Sequence, residues 1–185
     1  AHVIEDVKIA SENPIYHKYS AVGGLKILRD EISKTTAEYS NFEVDADNVV
    51  VTNGGKQAIL TTFMSLLDPG DEVLIPSPYW TTYPEAVKIS GGQPVILNTE
   101  FENDFKVTVD ELENKITEKT KVLVWVSPSN PTGVVYSKEE ALEIYNWAFD
   151  RDIWILSDEL YEHLVYEGIT CLLYTSPSPR DSDQS

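Results

Sequence analysis

Residues 51–58, Val-Thr-Asn-Gly-Gly-Lys-Gln-Ala, constrain the fold of this chain more than any other segment. They end a short apolar run and open a stretch in which apolar side chains recur at helical spacing. The pattern predicts a strand over residues 48–52, then a glycine turn, then a helix over residues 55–67. The apolar positions of this helix are Ile59, Leu60, Phe63, Leu66 and Leu67.

A glycine turn at the start of a helix is suited to binding an anion. Glycine lets the backbone bend tightly and come close to a ligand. The N–H groups of the first helical turn are free, and they lie at the positive end of the helix dipole. We therefore predict a phosphate seat formed by Gly54, Gly55 and Lys56. A plain turn without a ligand explains the same residues and stays an alternative.

Three further polar segments each follow a short apolar run rich in β-branched residues. They cover residues 77–80, 127–133 and 157–161. Strands and helices alternate along the chain, which predicts an α/β fold in three layers, with a mainly parallel sheet and helices on both faces. Ligands of such sheets bind beyond the carboxyl ends of the strands, so we expect all four segments to meet at one site. The predicted strands are 48–52, 72–76, 94–98, 121–126 and 153–157, and the predicted helices are 22–39, 55–67, 81–90, 109–117 and 138–149.

Taken together, the four segments resemble those of the fold-type-I pyridoxal-phosphate enzymes, and among them the class I aminotransferases. Asn-Gly-Gly-Lys-Gln at 53–57 and Pro-Tyr-Trp at 78–80 are similar to the aspartate aminotransferase branch. The resemblance extends over residues 15–170. It implies an incomplete large domain of that fold, a pyridoxal 5'-phosphate cofactor and a homodimer. It also implies transfer of an amino group between an amino acid, either aspartate or a related dicarboxylic or aromatic one, and a 2-oxo acid.

The resemblance implies cofactor contacts for four residues that follow strands. Asp158 would hold the protonated pyridine nitrogen, and Trp80 would stack on the pyridine ring. Asn130 and Tyr161 would reach the 3′ oxygen of the cofactor, and the Asn130–Pro131 peptide would be cis. Each residue also has a purely structural interpretation, which is a helix N-cap for Asp158, a turn for Asn130, and a half-buried or core aromatic residue for Tyr161 and Trp80.

The same resemblance implies substrate contacts for Lys56, Trp80 and Asn130. The Lys56 ammonium would bind the distal carboxylate of a dicarboxylic substrate as a point charge, and a solvated surface lysine is the alternative. Tyr19 would reach across a dimer interface to the cofactor phosphate of the neighbouring subunit. The family pattern there often has Thr and Pro, whereas this chain has Tyr-Ser-Ala-Val at 19–22.

No lysine of this sequence lies in the context expected of a Schiff-base lysine. In the family it belongs to a Ser-Lys motif past residue 170, and the arginine that binds the substrate α-carboxylate is expected there too. The Ser-Lys pairs at 33–34 and 137–138 lie in or at the start of predicted helices and are interpreted as solvated lysines. We therefore expect the intact enzyme to be active and this chain to be an inactive fragment of it.

The chain is predicted to have three parts. Residues 1–21 are assigned to an N-terminal arm and small-domain segment, and residues 22–170 to part of the cofactor-binding large domain. Residues 171–185 show no helical or strand period and are similar to a translated sequencing-library adapter, so we expect them not to be native. A natural disordered tail rich in Ser, Pro and Asp is the alternative. The only Cys lies in that tail, and cysteine-free residues 1–170 fit a cytoplasmic enzyme without a Cys-ligated metal.

Composition narrows the partners. The formal net charge of −17 argues against nucleic acid and anionic membrane surfaces, because both require a basic footprint. No apolar run approaches the length of a membrane span. Small amino acids and 2-oxo acids remain the expected partners. Three other functions stay open, namely a pyridoxal-phosphate-dependent C–S lyase of the same fold, a cofactor-binding regulatory module, and a phosphate-binding α/β domain with other chemistry. Lys56 together with Trp80 favours transamination.

Overall fold

The computed structural model describes residues 2–40 and 43–166, which divide into two units at residue 52. The first unit covers the described residues up to 52, and the second covers residues 53–166. This division differs from the three parts predicted from the sequence, which stay a prediction. The predicted tail over residues 171–185 lies outside the described residues.

The first unit is helical. It contains helices α1 (His2–Ser11) and α2 (Lys26–Ser40) and the short 3-10 turns Pro14–His17 and Ala46–Asn48. The sequence pattern does not predict α1. Helix α2 begins later than the predicted start at residue 22, because a turn precedes it in which the Gly24 N–H donates to the Ala21 carbonyl at 2.9 Å. Gly24 has a φ of 97°, which residues with a β-carbon rarely adopt.

The predicted strand over residues 48–52 is wrong. Residue 48 closes a 3-10 turn, and the extended chain that follows pairs with no strand in the part of the chain that the structure describes. The Val51 N–H donates to the Gly23 carbonyl at 2.9 Å. A β-branched run forms a strand only where a neighbouring strand satisfies its backbone groups, and here a turn does so.

The second unit alternates helices and strands as predicted. Its elements are α3 (Gly55–Leu66), β1 (Glu72–Ser77), α4 (Thr82–Ile89), β2 (Gln93–Asn98), α5 (Val109–Glu113), β3 (Thr120–Val126), α6 (Lys138–Phe149) and β4 (Trp154–Asp158). The helix predicted over 109–117 is shorter than expected, and regular α-helix ends at Glu113. The sequence predicts a capping box at the start of α6, and the structure confirms it. The Glu140 N–H donates to Ser137 Oγ at 3.2 Å, and the Ser137 N–H donates to the Glu140 carboxylate at 2.6 Å.

The four strands form one parallel sheet in the order β2-β1-β3-β4. Leu74 of β1 lies opposite Val95 of β2 and Leu123 of β3, and Leu123 lies opposite Ile155 of β4. This arrangement confirms the predicted α/β class with a parallel sheet. Parallel strands need crossover connections, and the helices between them supply these.

The sheet separates two apolar cores because neighbouring residues of a strand point to opposite faces. The α3–α4 core, named after its helices, consists of Ile59, Phe63, Leu67, Val73, Ile75, Tyr83, Ala86, Val87, Val122 and Val124. The α5–α6 core consists of Leu74, Leu97, Val107, Leu112, Leu123, Trp125, Tyr136, Ala141, Ile144, Trp147, Ala148 and Ile153. Helices therefore cover both faces, as three layers require.

Three tryptophans within predicted strands or helices are expected in the core, and one of these expectations is wrong. Trp125 and Trp147 are buried in the α5–α6 core, whereas Trp154 is 61% exposed. Trp154 lies on β4, which is the edge strand of the described sheet. No further strand of the described residues lies beside β4 to help cover the Trp154 side chain.

Candidate active site

The carboxyl ends of β1 and β3 meet where the chain changes direction across the sheet. After β1 the chain continues to β2 on one side, whereas β3 pairs with β1 on the other side. Ligands of open α/β sheets bind at such a switch point, beyond the carboxyl ends of the strands. The polar segments 77–80 and 127–133 follow these two strands, and segment 157–161 begins at the end of β4, which pairs with β3. Three of the four segments are thus gathered at one edge of the sheet.

Helix α3 begins at the glycine turn, as predicted. Gly54 is its N-cap residue with a φ of 87°, and no side chain caps the helix there. A β-carbon placed on Gly54 or Gly55 would meet no heavy atom within 4 Å, so the backbone at this point faces open space. The Asn53 N–H donates to Gln57 Oε1 at 2.7 Å, which closes the turn from the other side. An uncapped, open helix start suits an anion, and the phosphate seat stays a prediction.

The side chains of Lys56, Trp80 and Tyr83 form a row of contacts beside this helix start. The Lys56 Nζ lies 5.7 Å from the centroid of the Trp80 ring, within the range of a cation–π contact. The Trp80 and Tyr83 rings meet edge to face, with centroids 5.7 Å apart and an interplanar angle of 89°. Trp80 is half-buried against the α3–α4 core, so it is not a fully buried core residue.

Asp158 connects this row of side chains to the end of β4. The Tyr83 hydroxyl donates to Asp158 Oδ2 at 2.6 Å, and the Leu160 N–H donates to Asp158 Oδ1 at 3.2 Å. Both donors are neutral. No Lys or Arg side chain of the described residues forms an ion pair with Asp158. Asp158 is thus a half-buried carboxylate whose negative charge is not balanced by a cation of the described residues.

Asn130 and Tyr161 line a common cleft of about 550 Å³ at the same edge of the sheet. The Asn130–Pro131 peptide is cis, which confirms the expectation from the resemblance, and the Ser77–Pro78 and Ser127–Pro128 peptides are cis as well. Asn130 also lines a narrow cavity together with Tyr83. Residues 160–163 form turns, with the Leu164 N–H donating to the Tyr161 carbonyl at 2.8 Å.

Tyr19 lies in the first unit and its side chain is fully exposed. Its predicted role concerns a neighbouring subunit and stays a prediction.

Tyr83 is a residue of this site that the sequence pattern does not reveal. It is 1% exposed and belongs to the α3–α4 core. Its pKa is raised well above the ordinary value, first because it is buried, then because its hydroxyl bonds to Asp158 and faces the charge of Asp158. An electrostatic contribution from Tyr161 raises it further. Only its spacing of three residues from Trp80 could have drawn attention to it.

The side chains present fit a flat, phosphorylated, cationic ring. A protonated pyridine nitrogen needs a carboxylate that no other cation has neutralised, and Asp158 is such a group. A phosphate group needs backbone donors and a cation, and the start of α3, where no side chain caps the helix, and Lys56 are suited to supply them. Trp80 presents an aromatic face between the two ends. Within residues 2–40 and 43–166, no group of three or more His, Cys, Asp or Glu side chains is placed to hold a metal ion.

The fold and the edge-of-sheet site define an α/β class of proteins that bind their ligands beyond the ends of parallel strands, and comparison with known proteins gives the family. Residues 1–177 match the family described as aminotransferase class I and II. The chain belongs to this family.

Relatives with curated names support that assignment. The chain is 50% identical over 165 residues to an aspartate aminotransferase of Streptomyces avermitilis. The aligned region covers 89% of this chain and 40% of the relative. It is 44% identical over 167 residues to an aspartate aminotransferase of Bacillus subtilis, which covers 90% of this chain and 42% of the relative. The chain therefore spans about two fifths of the length of these relatives.

Solved structures agree with the fold. The aromatic aminotransferase from Pyrococcus horikoshii matches with a TM-score of 0.85 and 36% identity, over 88% of this chain and 44% of that one. The aspartate aminotransferase from Thermus thermophilus, solved with maleate, matches with a TM-score of 0.83 and 39% identity, over 90% of this chain and 44% of that one. No helix in the described part of the chain is long and apolar enough to cross a membrane.

Proposed function

We propose that the protein containing this sequence is a pyridoxal-phosphate-dependent aminotransferase, which exchanges an amino group between an amino acid and a 2-oxo acid. One observation carries the proposal. An uncompensated carboxylate, Asp158, and an uncapped helix start beside Lys56 lie at the two ends of a row of contacts that runs through Trp80 and Tyr83. Membership of the aminotransferase class I and II family supports it.

Bound pyridoxal phosphate would supply an electron-poor ring that accepts the electron pair left when the α-proton of the amino acid is removed. Asp158 would hold a proton on the ring nitrogen, because an ionised carboxylate favours the charged form of a neighbouring base. Trp80 would cover one face of the ring and exclude water from it. Asn130 and Tyr161 would donate hydrogen bonds to the ring oxygen, and the α3 start would bind the phosphate.

We infer that the preferred amino acid is aspartate or a related dicarboxylic one. The Lys56 side chain is exposed, and no carboxylate of the described residues forms an ion pair with it, since the nearby Glu85 pairs with Lys88 at 2.8 Å. Its ammonium is thus available for a second substrate carboxylate. The names of the relatives from Streptomyces avermitilis and Bacillus subtilis support this inference, as does the dicarboxylate maleate in the Thermus thermophilus structure.

The proposal includes a homodimer, in which Tyr19 would serve the cofactor phosphate of the neighbouring subunit, and a cytoplasmic location. The dimer is tested by sedimentation of the full-length protein. A fully active monomer would contradict it. The proposed inactivity of residues 1–185 alone is tested by borohydride reduction with added pyridoxal phosphate, which should modify no single lysine stoichiometrically.

The central experiment measures amino transfer in the full-length protein. Aspartate and 2-oxoglutarate should yield oxaloacetate and glutamate in equal amounts, with turnover that requires added pyridoxal phosphate once the protein has been stripped of it. Release of ammonia or sulfide from cysteine or cystathionine without amino transfer would assign the protein to the eliminating enzymes of the same fold instead. Turnover unaffected by stripping the cofactor would contradict the proposal altogether.

A further inference from the structure

Tyr83 joins two groups of the site that have separate proposed tasks. Its ring lies edge-on against Trp80, and its hydroxyl donates to Asp158 Oδ2 at 2.6 Å. The residue lies in the first turn of α4, and its side chain is 1% exposed. The ring packs within the α3–α4 core, so displacing the hydroxyl from Asp158 requires movement of the surrounding side chains.

The direction of this hydrogen bond is fixed. Burial and the adjacent Asp158 carboxylate raise the Tyr83 pKa well above its ordinary value, so the phenol keeps its proton at neutral pH and acts as the donor. Asp158 is then the acceptor, with Oδ2 committed to Tyr83 and Oδ1 bonded to the Leu160 N–H. A carboxylate oxygen accepts more than one hydrogen bond, so capacity for a cationic N–H remains.

We propose that Tyr83 is a positioning residue, which orients Asp158 toward the cofactor nitrogen and supports the stacking plane of Trp80 at the same time. This inference rests on the proposed function and deepens it. The hydroxyl also donates a hydrogen bond to the carboxylate, which stabilises its negative charge beside the ring nitrogen. Loss of the Asp158 orientation and loss of this hydrogen bond act in the same direction, because both lower the fraction of cofactor whose ring nitrogen is protonated.

The test uses the full-length protein loaded with pyridoxal phosphate that carries ¹⁵N at the ring nitrogen. The ¹⁵N chemical shift distinguishes a protonated from an unprotonated pyridine, and Asp158→Asn sets the value for a nitrogen without its carboxylate. Tyr83→Phe removes only the hydroxyl and keeps the edge-on contact with Trp80. We expect its ¹⁵N resonance to lie between the wild-type and Asp158→Asn values, with kcat reduced roughly tenfold and KM changed less.

Tyr145→Phe is the matched control. Tyr145 is a half-buried tyrosine whose ring also lies edge-on against a tryptophan, Trp125, at 5.5 Å, but it packs against the α5–α6 core on the other face of the sheet. This variant should leave the ¹⁵N resonance at the wild-type value. An equal displacement in both variants would reduce the effect to a general loosening of the fold and overturn the inference.

Two further results test the positioning role of Tyr83. A Tyr83→Phe protein with an unchanged ¹⁵N resonance would show that Tyr83 serves the core alone. Should Tyr83→Phe fail to fold, 3-fluorotyrosine placed at position 83 keeps the shape and donates more strongly, and it must not move the resonance toward the unprotonated value. A wild-type protein that retains no pyridoxal phosphate would instead overturn the proposed function, which is a separate outcome.

Discussion

In the described part of the chain, two carboxylates accept a hydrogen bond from an aromatic side chain, and the two pairs belong to opposite faces of the sheet. The Tyr83 hydroxyl donates to Asp158 at 2.6 Å from the α3–α4 core, and Trp147 Nε1 donates to Glu113 at 2.7 Å from the α5–α6 core. By distance and type of partner the pairs are nearly equivalent. Their remaining partners separate them.

Glu113 also binds a cation, whereas Asp158 does not. Arg151 Nη2 lies 3.0 Å from Glu113 Oε2, and its guanidinium covers the Trp147 ring at 5.2 Å from the centroid. The hydrogen bonds from Trp147 and Arg151 lower the Glu113 pKa below its ordinary value. Glu113 is therefore paired with a cation, and its Oε2 links the end of α5 to Trp147 of α6. Within residues 2–40 and 43–166, the donors to Asp158 are neutral, so it can still receive a cation. An aromatic–carboxylate hydrogen bond therefore does not by itself indicate a ligand-binding site, whereas a carboxylate without a balancing cation does.

The strongest test of this distinction replaces each carboxylate by its amide. Asp158→Asn should lower kcat of the full-length protein by roughly 100- to 1000-fold, since a carboxylate beside a cation favours its charged form by about two to three pK units and each unit is about tenfold. The loss should fall on kcat more than on KM, because the transition state depends on the ring charge more than the ground state does. Steady-state kinetics with aspartate and 2-oxoglutarate measure both.

Glu113→Gln is the matched control, because it removes a charge that Arg151 already balances. Its kcat should stay within about twofold of wild type, with only a lower midpoint of urea unfolding. Comparable kinetic losses in the two variants would mean that the uncompensated charge of Asp158 has no special role. Near-normal turnover of Asp158→Asn would remove the cofactor assignment.

A second test applies the comparison to cations. Lys56 has no carboxylate partner among the described residues, whereas Lys106 Nζ bonds to both Glu140 oxygens, at 2.9 and 2.8 Å. Lys56→Ala should lower kcat/KM for aspartate by roughly 10- to 100-fold, as loss of a charge-assisted hydrogen bond of about 1.5–3 kcal/mol predicts. It should spare an aromatic amino acid, which has no distal carboxylate. Lys106→Ala should change kcat/KM neither for aspartate nor for an aromatic amino acid. Equal losses on both substrates in Lys56→Ala would leave Lys56 as a phosphate-seat residue only.

Much of the fold could be predicted from the sequence where one residue pattern has one physical outcome. Alternation of short β-branched runs with amphipathic segments specified β1 to β4 and the helices between them, because both faces of a parallel sheet must be covered. The same pattern failed at residues 48–52. Whether such a run becomes a strand depends on a partner elsewhere, and no local signal reports that partner.

The candidate site was predictable in its parts but not in its connections. Gly54, Lys56, Trp80 and Asp158 each follow or open an element, which is where ligands of parallel sheets bind. Tyr83 was missed because a buried tyrosine on a helix looks like ordinary core in the sequence, and its hydrogen bond spans 75 positions. Contacts between distant segments require the three-dimensional register, which residue patterns do not contain.

A third test uses alkaline pH. The Tyr83 pKa in the folded protein is raised above its value in the unfolded chain, so its stabilising contribution is present below pH of about 10 and is lost as pH rises further. Tyr83→Phe should lose about 1.5–3 kcal/mol of unfolding free energy at pH 8, as expected for a buried hydrogen bond to a charged acceptor. The difference from wild type should shrink above pH 10. Urea unfolding at pH 8 and pH 10.5 measures it, and a difference that grows with pH would contradict the bond.

The smallest effect is expected from the other pair, at the opposite end of the pH scale. The Glu113 pKa is lowered from its ordinary value of 4.5 by Trp147 and Arg151, so the contribution of this carboxylate is present above pH of about 4.5 and is lost as pH falls through the folded value. Trp147→Phe keeps most of the ring and removes the Nε1 donor. The variant should unfold at a lower urea concentration than wild type at pH 7, and the part of this difference that comes from the hydrogen bond should disappear as pH falls through the lowered pKa of Glu113. The effect is small because the Glu113 side chain is half exposed and Arg151 remains beside it. In Glu113→Gln the same tryptophan substitution should show no such pH dependence. If it does, the acid sensitivity comes from the cavity left by the indole and the two aromatic–carboxylate pairs do not differ in the way their partners indicate.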